Sequence, residues 1–142
     1  MKYVESKVTF SEVPDEISLC LTISGCKSHC EGCHSEYLQQ DIGTELTEEI
    51  LEDLISLHKG ITCVCFLGGN SYDICKFSKI IKNNNLKLAY YTGYSYMPPL
   101  SQLSNFDYIK LGPYLEIEGG LNNPNTNQRM FKIEDITHKF WK

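Results

Sequence analysis

No stretch of this chain comes near the ~18–20 consecutive apolar residues that a membrane-spanning helix needs. Its opening residues, Met1-Lys2-Tyr3-Val4-Glu5, lack the long apolar core of a secretion signal. Basic residues are scarce: 13 Lys and Arg stand against 18 Asp and Glu, for a net charge of -5. That balance argues against direct binding to nucleic acid or to an anionic membrane, so neither is an expected partner. Internal repeats and low-complexity tracts are absent, as is any Ser/His/Asp-type constellation. The seven cysteines are too few, and odd in number, for a disulfide scaffold. Without an export signal they imply a reducing compartment, where thiols bind metal or stay free. The expected location is cytoplasmic.

What is present is an ordinary globular composition, 42% hydrophobic and 22% charged over 142 residues. This suits one domain with a real core, too small for two. We place the core at about 15–133 and a loop-rich segment at 112–142. Strand-like and helix-like stretches alternate. Ile17–Ile23 reads as a buried strand. Thr47 caps a helix carrying Ile50, Leu51, Leu54, Ile55 and His58 at helical spacing, stopped by Lys59-Gly60. Ile61–Leu67 is near-continuously apolar, as parallel strands tend to be. Ile74, Phe77 and Ile81 mark the inner face of a second helix. Leu86–Tyr91 and Phe106–Leu111 are further strands, Pro99–Leu103 is a short helix, and a last strand is expected near Arg129–Ile133. Such alternation predicts parallel β/α units.

The most informative residues are Cys26-Lys27-Ser28-His29-Cys30-Glu31-Gly32-Cys33, three thiols spaced C-x3-C-x2-C just after the first strand. Thiolate is a soft ligand suited to zinc and to iron–sulfur clusters. Structural zinc normally takes four protein ligands, usually as two separated pairs. Here three cysteines share one loop, and no fourth follows nearby. A [4Fe–4S] cluster on three thiolates would keep one iron open to a small-molecule ligand. A zinc site with His29 or His34 as fourth ligand is the alternative.

With this loop the chain resembles the radical S-adenosylmethionine enzymes, and among them the activating enzymes that install a glycyl radical. Further segments carry the likeness in order: Phe66-Leu67-Gly68-Gly69-Asn70, Tyr90-Tyr91-Thr92-Gly93-Tyr94, Gly112-Pro113-Tyr114 and Thr126-Asn127-Gln128-Arg129-Met130. The last two point to the activating proteins of anaerobic (class III) ribonucleoside-triphosphate reductases. The resemblance implies an α/β fold, a single-domain incomplete (β/α) radical-SAM-type barrel of about five or six mainly parallel strands. A complete eight-fold barrel takes roughly 200 residues or more. An incomplete barrel would leave the cluster open to a protein substrate.

The resemblance also implies the site. Cys26, Cys30 and Cys33 would ligate a [4Fe–4S] cluster, and Gly32, Cys33 and His34 would line bound S-adenosylmethionine. Gly68, Gly69 and Asn70 would receive its methionine amino group, with Asn70 standing where the family commonly has an acidic residue. Lys110-Leu111 before Gly112-Pro113-Tyr114 is a second departure, since an acidic residue is usual there. The implied partners are the large glycyl-radical reductase subunit and a one-electron donor such as flavodoxin. No general acid or base is required. Outside the loop, Cys63 and Cys65 sit two apart on a strand and share a face, which reads as core packing, although a second metal with Cys20 or Cys75 is conceivable. The run Glu45, Glu48, Glu49, Glu52, Asp53 reads as a solvated helix face.

Overall fold

The computed structural model describes residues 1–10, 12–24, 42–93, 97–112 and 129–133. Among them are seven strands: β1 (Lys2–Thr9), β2 (Ser18–Ile23), β3 (Thr44–Glu45), β4 (Cys63–Leu67), β5 (Lys87–Tyr91), β6 (Tyr108–Leu111) and β7 (Arg129–Lys132). Four helices accompany them: α1 (Glu48–Leu57), α2 (Ser71–Cys75), α3 (Ser78–Asn83) and α4 (Leu100–Leu103). The strands form one sheet in the order β3-β1-β2-β4-β5-β6-β7. β2, β4, β5 and β6 run parallel, while β1, β3 and β7 pair antiparallel at the flanks.

The local chemistry explains the helices. In α1 the Thr47 hydroxyl accepts from the Ile50 amide at 3.2 Å, and Glu48 and Glu49 occupy the first turn, where the helix dipole favours acids. Leu51 and Ile55 face inward, and Glu48, Glu49, Glu52 and Asp53 are exposed, as a solvated face should be. The second predicted helix is divided between α2 and α3. The Ser78 hydroxyl lies 2.8 Å from the Cys75 carbonyl across the break and 3.2 Å from the side-chain oxygen of Asn105, just after α4, while Gln102 within α4 accepts from Ser71 at the start of α2. β1 and β3 are absent from the sequence expectation. A register shift between Tyr3 and Glu5 breaks the period-two alternation by which β1 would have been visible.

The two sheet faces differ. One carries Leu19, Leu21, Ile23, Val64, Phe66, Leu88, Tyr90 and Ile109, packed with residues from all four helical segments, among them Leu51, Ile74, Ile81 and Leu103. The other carries Cys20, Cys63, Cys65, Ala89, Tyr91 and Tyr108, with Val13 packed among them. Parallel pairing gathers the C-terminal ends of β2, β4, β5 and β6 on one edge, where β/α proteins place their ligands.

Candidate cofactor-binding site

At that edge each parallel strand ends in small or polar residues: Ser24 after β2, Gly68 and Gly69 after β4, Thr92 and Gly93 after β5, Gly112 after β6. The cysteine loop departs from the first of these. The Ser24 amide donates to the Lys2 carbonyl at 3.1 Å and its hydroxyl to the Ile42 carbonyl at 2.5 Å. The chain therefore leaves β2 and returns, at Ile42, to the same place. Gly43 follows at φ +103, where a Cβ would lie 2.3 Å from the Tyr3 carbonyl oxygen, so only glycine lets the returning chain pass β1. Cys26, Cys30, Gly32, Cys33 and His34 all belong to the segment spanned by these anchors and lie outside the described residues.

Gly68, Gly69 and Asn70 are described, and they stand beside that departure point. β2 and β4 are neighbours, and a Cβ built on Gly68 would approach the Ile23 carbonyl oxygen to 3.4 Å. Gly68 and Gly69 both take positive φ, +97 and +90, a conformation most side chains resist. The Gly68 amide donates to the Tyr91 carbonyl at 2.8 Å, and the Gly69 carbonyl accepts the Tyr90 hydroxyl at 2.9 Å. Among the described residues no hydrogen bond reaches the Gly68 carbonyl. The Asn70 side-chain oxygen accepts from the Tyr72 amide at 2.8 Å, so its first task is to cap α2. The predicted glycine turn is thus a backbone cradle at a strand end, held from β5. Tyr90 was given no part in it by sequence reasoning, because its contact depends on the β4–β5 register.

The opposite end of the strands is closed by a buried carboxylate. Glu16 accepts the Thr62 hydroxyl at 2.7 Å and the Tyr108 hydroxyl at 2.8 Å, while Thr62 accepts the Ile17 amide at 2.9 Å. Burial first, and then the Glu16 contact, push the Tyr108 phenol well above its ordinary range. This network also escaped sequence reasoning, since Glu16 and Tyr108 are 92 positions apart.

The remaining thiols are structural in placement. Cys63 and Cys65 are fully buried on the same face as Cys20, which stands opposite Cys65 across the β2–β4 pair. The hydrogen bond from Cys65 lowers the Cys20 thiol to about 7, whereas burial pushes Cys63 up to about 12 and raises Cys65 as well. Cys75 sits by α4, hydrogen-bonded by the Asn105 amide at 3.5 Å. No group of three or more metal-binding side chains is found among the described residues.

Three thiols in the segment between Ser24 and Ile42, whose described ends stand next to the Gly68-Gly69 turn, are a donor set that fits an iron–sulfur cluster. A family model described as the 4Fe-4S single cluster domain matches residues 17–119, from the start of β2 to beyond β6. That span is well over half of the chain, and the chain belongs to the 4Fe-4S single cluster domain family. No curated protein and no solved structure matches it. Among the described residues, no helix is long and apolar enough to cross a membrane.

Proposed function

We propose that this iron–sulfur protein is a radical S-adenosylmethionine activase that generates a glycyl radical on an anaerobic ribonucleoside-triphosphate reductase. The observation that carries the proposal is the adjacency of the cysteine loop's anchor at Ser24 to the Gly68-Gly69 turn on the neighbouring strand. When bound, the reduced cluster supplies the electron that splits S-adenosylmethionine into methionine and a 5′-deoxyadenosyl radical, which takes a hydrogen atom from a glycine Cα.

The chain's own residues have simpler tasks. Cys26, Cys30 and Cys33 would hold the cluster, and three protein ligands would leave room for the amino and carboxylate groups of the cofactor. The Gly68 carbonyl, without a donor among the described residues, accepts from the methionine ammonium, and the missing Cβ atoms at Gly68 and Gly69 allow the close approach. Gly32 and His34 line the same cofactor, and Asn70 holds α2 in place below the turn. Neither proton transfer nor hydrolysis is asked of any side chain.

A protein substrate fits better than a small molecule because the sheet has a linear strand order with two ends, β3 and β7, and a substrate loop can complete the enclosure. The reductase identity rests on the Gly112-Pro113-Tyr114 and Asn127-Gln128-Arg129 segments, and an external one-electron donor such as flavodoxin is required. The same chemistry directed at another glycyl-radical enzyme is the second reading, favoured by the Lys110-Leu111 departure.

The test is anaerobic. The protein is reconstituted with iron and sulfide, reduced, given S-adenosylmethionine and assayed for 5′-deoxyadenosine, then for a glycyl radical by electron paramagnetic resonance after adding the reductase subunit. Product from the wild type and none above background from Cys30→Ala is the expected result. A colourless, zinc-loaded protein that yields no product would make the loop a structural zinc site. A cluster without cofactor cleavage would make the protein an electron carrier.

A further inference from the structure

We infer that Tyr90 is a positioning residue, whose hydroxyl sets the direction of the Gly68-Gly69 peptide groups and thereby the affinity for the methionine end of S-adenosylmethionine. The inference rests on the activase reading and adds to it a residue that no sequence motif singles out as a ligand.

Two consecutive glycines at positive φ form a turn with no side chains of its own to hold it. Glycine has the widest backbone freedom of any residue, so such a turn keeps one geometry only if neighbours impose it. Both restraints here come from adjacent residues of β5. The Tyr91 carbonyl takes the Gly68 amide, and the Tyr90 hydroxyl reaches the Gly69 carbonyl. The first is a ladder-type backbone bond that any residue at position 91 would supply. The second needs a phenol of this length at position 90.

Tyr90 is itself well fixed. It is 2% exposed, and its ring stacks on Phe106 with centroids 5.6 Å apart and planes inclined by 26°. The hydroxyl is therefore delivered to Gly69 from a rigid platform within the helix-covered core. Holding the Gly69 carbonyl on one side fixes the plane of the following peptide and limits rotation of the one before it. That preceding peptide contains the Gly68 carbonyl, the acceptor left unengaged among the described residues. An ammonium group needs acceptors fixed in advance, because each bond it exchanges for water gains only what is not lost in ordering its partner. Tyr90 makes no contact with the cofactor in this scheme and acts through the turn alone.

The experiment compares wild type, Tyr90→Phe and Phe106→Leu as anaerobically reconstituted holoproteins. It measures cluster iron content, thermal midpoint, the Kd for S-adenosylmethionine by equilibrium dialysis, and KM and kcat for 5′-deoxyadenosine formation. Tyr90→Phe removes one oxygen and keeps the stacked ring. We expect its Kd and KM to rise about tenfold, roughly 1.4 kcal/mol, with iron content unchanged and kcat within about twofold. Phe106→Leu loosens the packing under Tyr90 but spares the hydroxyl, so it should lower the thermal midpoint with Kd within about twofold. Equal Kd values for Tyr90→Phe and wild type would overturn the inference while leaving the activase reading intact. So would a Phe106→Leu variant that weakens binding as much as Tyr90→Phe, since packing and not the hydroxyl would then be responsible. Absence of binding by the wild type would remove the activase reading itself.

Discussion

The two ends of the parallel strands are made of the same backbone and serve opposite purposes. At the N-terminal end, carboxylates are paired with donors: Glu16 takes two hydroxyl donors and the Asp107 carboxylate takes the Leu88 amide at 2.9 Å, the buried Ser18 hydroxyl being the exception without a partner among the described residues. At the C-terminal end, Gly68, Gly69 and Gly112 hold positive φ, and the Gly68 carbonyl is left without a donor among the described residues. Satisfied groups at one end stabilise the sheet, and incompletely satisfied groups at the other are available to a ligand. The contrast teaches that in this molecule stability and binding are separable, and that substitutions at the two ends should fail in different assays.

The largest effect on the fold is expected from Glu16→Ala. Removing the carboxylate leaves the buried Tyr108 hydroxyl without its acceptor, at about 1–3 kcal/mol, whereas the exposed Thr62 hydroxyl still has the Ile17 carbonyl at 3.4 Å. Urea denaturation should show a loss of about 2–3 kcal/mol, toward the upper end of that range because a charged acceptor is lost, with cluster content and the Kd for S-adenosylmethionine unchanged at temperatures where the protein is folded. Gly69→Ala should show the reverse balance. A Cβ there meets the Met1 sulfur at 3.0 Å and Ile23 Cγ2 at 3.4 Å, and φ +90 strains any L-residue. The stability cost is about 1–2 kcal/mol, smaller than at Glu16, but the turn must move, so the Kd should rise at least about tenfold. Equal binding losses in the two variants would mean that the ends are coupled.

Much of this arrangement was visible in the sequence, for reasons that are local. The cysteine spacing and the strand before it announced an iron–sulfur site, in agreement with the family match over 17–119. The continuous apolar runs at β2 and β4 and the Thr47 cap of α1 located those elements closely. The paired glycines marked a close backbone approach at the strand end where it occurs. What escaped was non-local or irregular. The bulge between Tyr3 and Glu5 hid β1, and with it the antiparallel flank of the sheet. Tyr90 was read within a strand and a family-like segment but given no site role, because nothing local says that its hydroxyl reaches the neighbouring strand's turn. Glu16 carried no local signal, because its partner Tyr108 lies 92 positions away.

The smallest effect lies between the two ends, at the thiols of the second face, and its sign can be worked out. Cys20 has its thiol lowered to about 7 from an ordinary 9.0, chiefly by the hydrogen bond from Cys65. Between these values the unfolded chain holds a proton that the folded chain has released, so stability rises with pH. The contribution is complete above 9 and disappears as pH falls through 7. Cys63, raised to about 12 by burial, does the opposite: its contribution is complete below 9 and is lost as pH climbs toward 12, and Cys65 shifts in the same upward direction. Urea midpoints should therefore increase modestly from pH 7 to 9 and fall beyond it. Cys65→Ala removes the donor that holds the Cys20 thiolate, so it should flatten the rise between pH 7 and 9 relative to wild type. Apart from Cys65 itself, whose thiol is shifted upward and in the folded state titrates above this window, the titrating groups, the cysteine loop included, are common to both proteins. An undiminished slope in Cys65→Ala would show that the Cys20–Cys65 bond does not control the ionisation of this face. Because Cys20 and Cys65 pair in the middle of their strands and not at either end, the same substitution should leave S-adenosylmethionine binding where the wild type has it.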